Sequence, residues 1–200
     1  MRDTRRAKRA LELAESAHDE IERSLWLASA ADHGLSGRAV LVGGAAVNLH
    51  TGSYVPADVD MCAYLDEADR ASLRGLGFGQ IQGDHFEYTF ADGEHWLLEF
   101  PDSVVDGTVT TVDLGEDMTL EVISLESLIV DRLIQTTDGF QVTFNEAVRL
   151  ATATFTNARW DRVAQDVAAR EARGDLSGLS DALRRVHDRA RKLLDESQQG

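Results

Sequence analysis

The sequence predicts an α/β (α+β) fold, a mixed sheet with flanking helices followed by an α-helical C-terminal region. Three observations carry this. An apolar run through Leu41 and Val42 ends in Gly43-Gly44 and a short helical segment, after which residues 58–65 alternate between apolar and polar. Residues 86–123 hold further alternating stretches broken by Asp92-Gly93 and Gly115-Glu116-Asp117, which are hairpin turn signals. From Ser124 onward the periodicity is helical throughout. The expected organisation is an N-terminal helix over 1–37, a core over 38–123 and a helical region over 124–200.

In chain order, Leu11, Ala14, Ile21, Leu25 and Ala28 keep helical steps and predict one helix across 7–30, ended by Gly34 and Gly37. His18 falls on that stripe and reads as a packed or edge histidine. Residues 39–42 read as a buried strand, Gly43-Gly44 as a turn and 45–50 as a helix stopped by Thr51-Gly52-Ser53. In the strand at 58–65, Val59, Met61, Ala63 and Leu65 share one face, with Asp58, Asp60, Cys62 and Tyr64 on the other. Asp66 is placed to cap a helix to about Leu76, and glycines at 75, 77 and 79 break it. Phe86, Tyr88 and Phe90 alternate before Asp92-Gly93. The return strand puts His95, Leu97 and Glu99 on one face and Trp96, Leu98 and Phe100 on the other, with Pro101 ending it. Residues 109–114 and 118–123 form another hairpin. Ser124 caps a helix over 125–136, and further helices cover 143–154, 158–172 and 176–196, before a frayed tail at 197–200.

The formal charge of −15 repels nucleic acid and anionic membrane unless a basic patch is concentrated locally, so non-specific DNA binding and membrane binding are not expected. Of 20 basic residues only Lys8 and Lys192 are lysines, a bias that fits a salt-adapted or GC-rich source. Cys62 is the single cysteine, so no internal disulfide forms, and it reads as a buried small hydrophobe. Without a signal-peptide core or an apolar run approaching about 18 residues, the expected location is the cytoplasm.

The chemistry is concentrated in two places. An apolar strand ending in two glycines before a helix brings backbone N–H groups and a helix N-terminus up to a phosphate. Asp58 and Asp60, two residues apart on a strand, project from one face and suit a divalent metal. Glu99 is an acid inside an otherwise apolar strand, which suggests an edge position, a partner or a metal. Asp113 and Glu121 stand on strands too and compete with Glu99 as the third acid. No serine elbow, zinc spacing or Walker lysine appears.

The order Gly43-Gly44, helix, Thr51-Gly52, Tyr54, Asp58-Val59-Asp60 resembles the minimal nucleotidyltransferases of the DNA polymerase beta-like superfamily. It is similar above all to small stand-alone proteins related to abortive-infection (AbiEii-type) toxins. Twelve residues separate Gly44-Ala45 from Asp58, close to the superfamily spacing. Gly83-Asp84-His85-Phe86, Glu99-Phe100-Pro101 and Asp131-Arg132-Leu133 extend the likeness across about 40–133. The resemblance implies a nucleotidyltransferase-like sheet and two Mg2+ ions, with Mn2+ as a substitute, about 4 Å apart. It implies Asp58, Asp60 and Glu99 as metal-binding and catalytic acids, Gly43, Gly44 and Ala45 at the nucleotide, and Arg132 as a further nucleotide contact. It also implies NTP as donor, an RNA or protein acceptor, and an antitoxin partner. Ala45 stands where relatives carry serine, and Pro56-Ala57 where they often carry threonine and a polar residue; neither change removes a metal ligand. The rival reading is a catalytically inactive nucleotide- or protein-binding module on the same fold. His50 and His85 read as structural or hydrogen-bonding supports.

Overall fold

The computed structural model describes residues 2–52, 54–174 and 176–197; Ser53 and Asp175 of the expected connections, and the expected frayed tail after Ser197, lie outside these. The chain divides into two compact units, Met1–Ile123 and Ser124–Gly200.

The first unit opens with two helices, α1 (Thr4–Ser16) and α2 (Glu20–Gly34), where one was expected. Ala17 leaves the helical region with ψ 137°, and the Asp19 carboxylate accepts hydrogen bonds from the amides of Ile21 at 2.7 Å and Glu22 at 3.4 Å. The signal was Asp19 followed three residues later by Glu22, a capping pattern that the continuous apolar stripe conceals. His18 lies in this connection and is exposed rather than packed on a stripe.

There follow β1 (Val40–Leu41), α3 (Gly43–Thr51), β2 (Asp58–Cys62), α4 (Glu67–Gly75), β3 (Gly79–Gln82), β4 (His85–Thr89), β5 (His95–Asp102), β6 (Val109–Gly115) and β7 (Met118–Ile123). The strands form one mixed sheet in the order β3-β4-β5-β2-β1-β7-β6. β1 with β7 and β2 with β5 are parallel, and the other pairs antiparallel. β3 was not expected, because Gly79 read as a breaker; all four of its residues are exposed, so it carries no apolar alternation. β5 runs through Pro101, whose missing N–H would end a fully paired strand but not one at this end of the ladder.

One face of the sheet is the core. Leu41, Val59, Met61, Phe86, Leu98, Leu120 and Val122 are each at most 1% exposed. α1 and α2 cover it: the Ser29 hydroxyl donates to Met118 Sδ at 3.8 Å and the Tyr88 hydroxyl to Glu15 at 3.0 Å. Burial, then the Glu15 carboxylate, pushes the Tyr88 phenol up to about 12.

Asp69 ties the N-terminus to this core. Its carboxylate accepts from Arg2 at 2.9 Å, the Ser36 amide at 2.8 Å and the Ser36 hydroxyl at 3.1 Å, and closes a capping box with Asp66. Burial alone would raise its pKa, but these donors more than offset that and hold it below the usual carboxylate value.

The second unit contains α5 (Leu125–Gln135), a 3-10 turn (Thr136–Asp138), α6 (Gln141–Ala153), α7 (Trp160–Arg173) and α8 (Leu179–Ser197). Ser124 caps α5 by accepting from the Ser127 amide. The four helices bury Leu128, Leu133, Ala151, Val163, Val167 and Val186. No helix among the described residues is long and apolar enough to cross a membrane.

Replacing Asp69 with alanine strands the Ser36 amide and the Arg2 guanidinium, so urea unfolding at pH 7 is expected to show a loss of about 2–4 kcal/mol. Because the folded pKa is depressed, this stabilisation is complete above an unfolded pKa of about 3.9 and disappears as pH falls through the folded value. Wild type and Asp69→Ala should therefore converge in stability only as pH falls from about 3.9 through the depressed folded value; a gap independent of pH would show that packing, not charge, is what Asp69 supplies.

Candidate functional site

The face opposite the core carries the acids. Asp58 and Asp60 alternate with the fully buried Val59 and Met61 and are themselves half-buried. β5 runs parallel to β2 in a register that pairs Asp58 with Leu97 and Asp60 with Glu99. Residues so paired project to the same face, with Cα atoms about 4.8 Å apart across neighbouring strands. Asp58, Asp60 and Glu99 thus share one patch of the open face. Asp113 and Glu121 do not join it: β7 is two strands from β2 and β6 three, roughly 10 and 14 Å away. Both are engaged locally, Glu121 with Arg38 and Asp113 with the Gly115 amide at 2.9 Å.

The glycine pair meets these acids because β1 lies beside β2. The Val42 amide donates to the Asp60 carbonyl at 2.9 Å, so the chain turns into α3 directly over Asp60. Gly43 has φ +62°, and a Cβ there would fall on the Asp60 carboxylate, 2.7 Å from its Cγ. Both the backbone conformation and the close approach demand glycine. At Gly44 a Cβ would come 2.7 Å from the Tyr54 ring. Val42, the N-cap of α3, has no side-chain acceptor to offer the first-turn amides. Ala45 follows inside the helix and is buried.

Sequence reasoning passed over Asn48, a buried polar residue on α3 whose side-chain amide donates to the Tyr54 carbonyl. It fastens the segment leading into Asp58 back onto α3. The signal was an amide in an otherwise apolar helical run. His50 bonds through Nε2 to the Ile123 carbonyl at 2.8 Å, joining the end of α3 to the end of β7. His85 lies across from Glu99 in the β4–β5 ladder, its Nδ1 3.4 Å from Glu99 Oε1. Both histidines have the supporting placement expected of them. Arg132 lies in the second unit on α5, where it donates to Gln135 at 2.7 Å, and Gln135 in turn donates to Asp131 at 3.0 Å. Burial pushes the Asp131 carboxyl up, against the pull of Arg132 and Arg170.

No family model and no curated protein matches the sequence. The architecture does have counterparts among solved structures. An antigenic nucleotidyltransferase-like protein from Paracoccidioides brasiliensis superposes with a TM-score of 0.52 at 15% identity, over 83% of this chain and 94% of that one. The fold is nucleotidyltransferase-like. The antibiotic-resistance factor ANT(2'')-Ia also matches, with a TM-score of 0.47 at 16% identity over 78% of this chain and 93% of that one, a similarity too loose to identify a fold.

Within the nucleotidyltransferase-like fold, the donor set of Asp58, Asp60 and Glu99 offers carboxylate oxygens, the chemistry of a hard-cation site. Convergence is another matter. Among the described residues no three His, Cys, Asp or Glu side chains come close enough to hold a metal ion together. The backbone register therefore supplies a common face, while the carboxylates themselves are not drawn onto one point.

Gly52 offers a matched control for Gly43, since it too has φ +62° but open space around its Cα. Gly52→Ala should cost about 1–2 kcal/mol of stability for the left-handed conformation alone. Gly43→Ala should cost at least about 1 kcal/mol more by urea unfolding, because Asp60 must move as well. Equal losses would mean that Asp60 yields freely and that the close approach carries no constraint.

Proposed function

We propose that the protein is a Mg2+-dependent nucleotidyltransferase that moves a nucleoside monophosphate from NTP to a hydroxyl on an RNA or protein acceptor. The observation that carries the reading is the joint placement of Gly43-Gly44 against Asp60, with Glu99 in register beside it. The nucleotidyltransferase-like fold supports it.

In this reading Asp58, Asp60 and Glu99 hold the metal, and the amides of Gly43, Gly44 and Ala45 hold the triphosphate at the N-terminus of α3. Bound Mg2+ would polarise the phosphoryl oxygens and offset the charge that builds on them. The acceptor oxygen bonds to the α-phosphorus as the bond to the bridging oxygen breaks, and pyrophosphate leaves. The acceptor's proton passes to the Glu99 carboxylate, and His85 beside it orients that side chain. Arg132 is assigned to a nucleotide phosphate on the strength of the sequence resemblance, as are a toxin role and a restraining antitoxin. A catalytically inactive binding module is the second reading; Ala45 in place of serine favours it.

Incubation with each α-labelled NTP, Mg2+, total cell RNA and protein tests the reading. Wild type should transfer label, while Asp58→Asn and Asp60→Asn should each lose at least about 100-fold, since a metal ligand contributes several kcal/mol to the transition state. A loss under tenfold would remove Asp58 from metal binding. NTP binding that depends on Mg2+ but yields no transfer to any acceptor would favour the binding module. Growth arrest on expression, relieved by Asp58→Asn, would support the toxin role.

A further inference from the structure

The turn between β1 and α3 is closed to side chains twice, from two directions. At Gly43 the intruding group is the Asp60 carboxylate; at Gly44 it is the ring of Tyr54. A Cβ at position 44 would lie 2.7 Å from Tyr54 Cε1 and 3.5 Å from Cζ, the carbon that bears the hydroxyl. A candidate metal acid and a phenol therefore flank consecutive residues of one turn.

Those residues bring no polar side chain of their own. Val42, Gly43, Gly44 and Ala45 offer only backbone, and the intrahelical ladder begins at Ala46, whose amide donates to the Val42 carbonyl at 3.4 Å. The amides of Gly43, Gly44 and Ala45 precede it. Tyr54 brings the hydroxyl they lack. Its side chain is 44% exposed, so filling the core is not its task, and among the described residues its hydroxyl has no hydrogen-bond partner. Its backbone is nonetheless held, because the buried side-chain amide of Asn48 donates to the Tyr54 carbonyl and fixes where the ring leaves the chain. Packing alone would be served by a phenyl ring, or by alanine at position 44, where glycine is the less stable helix residue. Neither calls for an exposed phenol.

Charged donors are also lacking nearby. From residue 11 to Ile123 the only Lys or Arg residues are Arg23, Arg38, Arg70 and Arg74, each ion-paired with a carboxylate other than Asp58, Asp60 or Glu99. An arginine beside Asp60 would be drawn onto the carboxylate itself. A neutral phenol would not.

We propose that Tyr54 is a triphosphate-binding residue, its phenol O–H donating to a non-bridging phosphate oxygen of a nucleotide held on the amides of Gly43, Gly44 and Ala45. A hydrogen bond from a neutral donor to an anionic oxygen is stronger than one between neutral groups, so a single phenol has a measurable effect on affinity. The inference deepens the proposed function and rests on it for the presence of a nucleotide at this turn.

The Mg2+ complexes of inorganic tripolyphosphate and of each NTP, the latter as α,β-methylene analogues that cannot transfer, are titrated calorimetrically into the full chain. Wild type should bind both kinds of ligand. Tyr54→Phe, which keeps the ring, should weaken both by at least about tenfold, the scale of one hydrogen bond to a charged group, with melting of the unliganded protein unchanged. Tyr64→Phe, at an exposed tyrosine beyond the end of β2, should bind like wild type. Undiminished binding in Tyr54→Phe would overturn the proposal and leave the transferase reading intact. So would binding, or its loss, confined to the nucleotides, which would place the contact at base or sugar. A drop in melting of Tyr54→Phe would overturn it as well, since the hydroxyl would then be held by the protein. If wild type binds neither ligand, the functional reading itself falls and takes the phenol's role with it.

Discussion

The contact between Gly43 and Asp60 is the constraint on which the site depends. A carboxylate lying on a backbone Cα admits no side chain there, and the positive φ that turns β1 into α3 excludes one independently. Because β1 pairs with β2, the turn cannot be elsewhere without breaking that pairing. Asn48 and His50 then fix the far side of α3, one to the Tyr54 carbonyl and the other to Ile123. The helix that would meet a phosphate is thus pinned at its N-terminus by the Gly43–Asp60 contact and toward its far end by Asn48 and His50.

Much of this was legible in the sequence, for reasons that differ from element to element. The 58–62 strand could be read because its core face is wholly apolar and its other face is not, a period-2 contrast that survives without tertiary information. Asp66 and Ser124 were readable as caps because a cap is a local device. β3 was not readable, since four exposed residues beginning with glycine leave no periodic trace, and its existence depends on β4 alone. The break between α1 and α2 was hidden because both helices bury small residues at matching phase, so the apolar stripe runs on across Ala17. The residues alone left Glu99, Asp113 and Glu121 as competing third acids, and only the family resemblance named Glu99. The choice depends on strand order, a property of the whole sheet.

The two units divide the electrostatic labour. In the first, beyond α1, every arginine is consumed by a neighbouring carboxylate, and the open sheet face is left acid-rich, as a site for a hard cation would be. In the second, arginines remain exposed beside rings. Composition averages these away.

Among the described residues the two residues of β1, Val40 and Leu41, are the only pairing between β2 and β7, and so between a four-stranded block and a two-stranded hairpin. The sheet is therefore two slabs sewn together by one stitch. The glycine turn grows out of the last residue of that stitch, while the acids belong to the larger slab. The turn and the acids, on opposite sides of the shortest seam in the sheet, are held together by the Val42 amide on the Asp60 carbonyl at 2.9 Å.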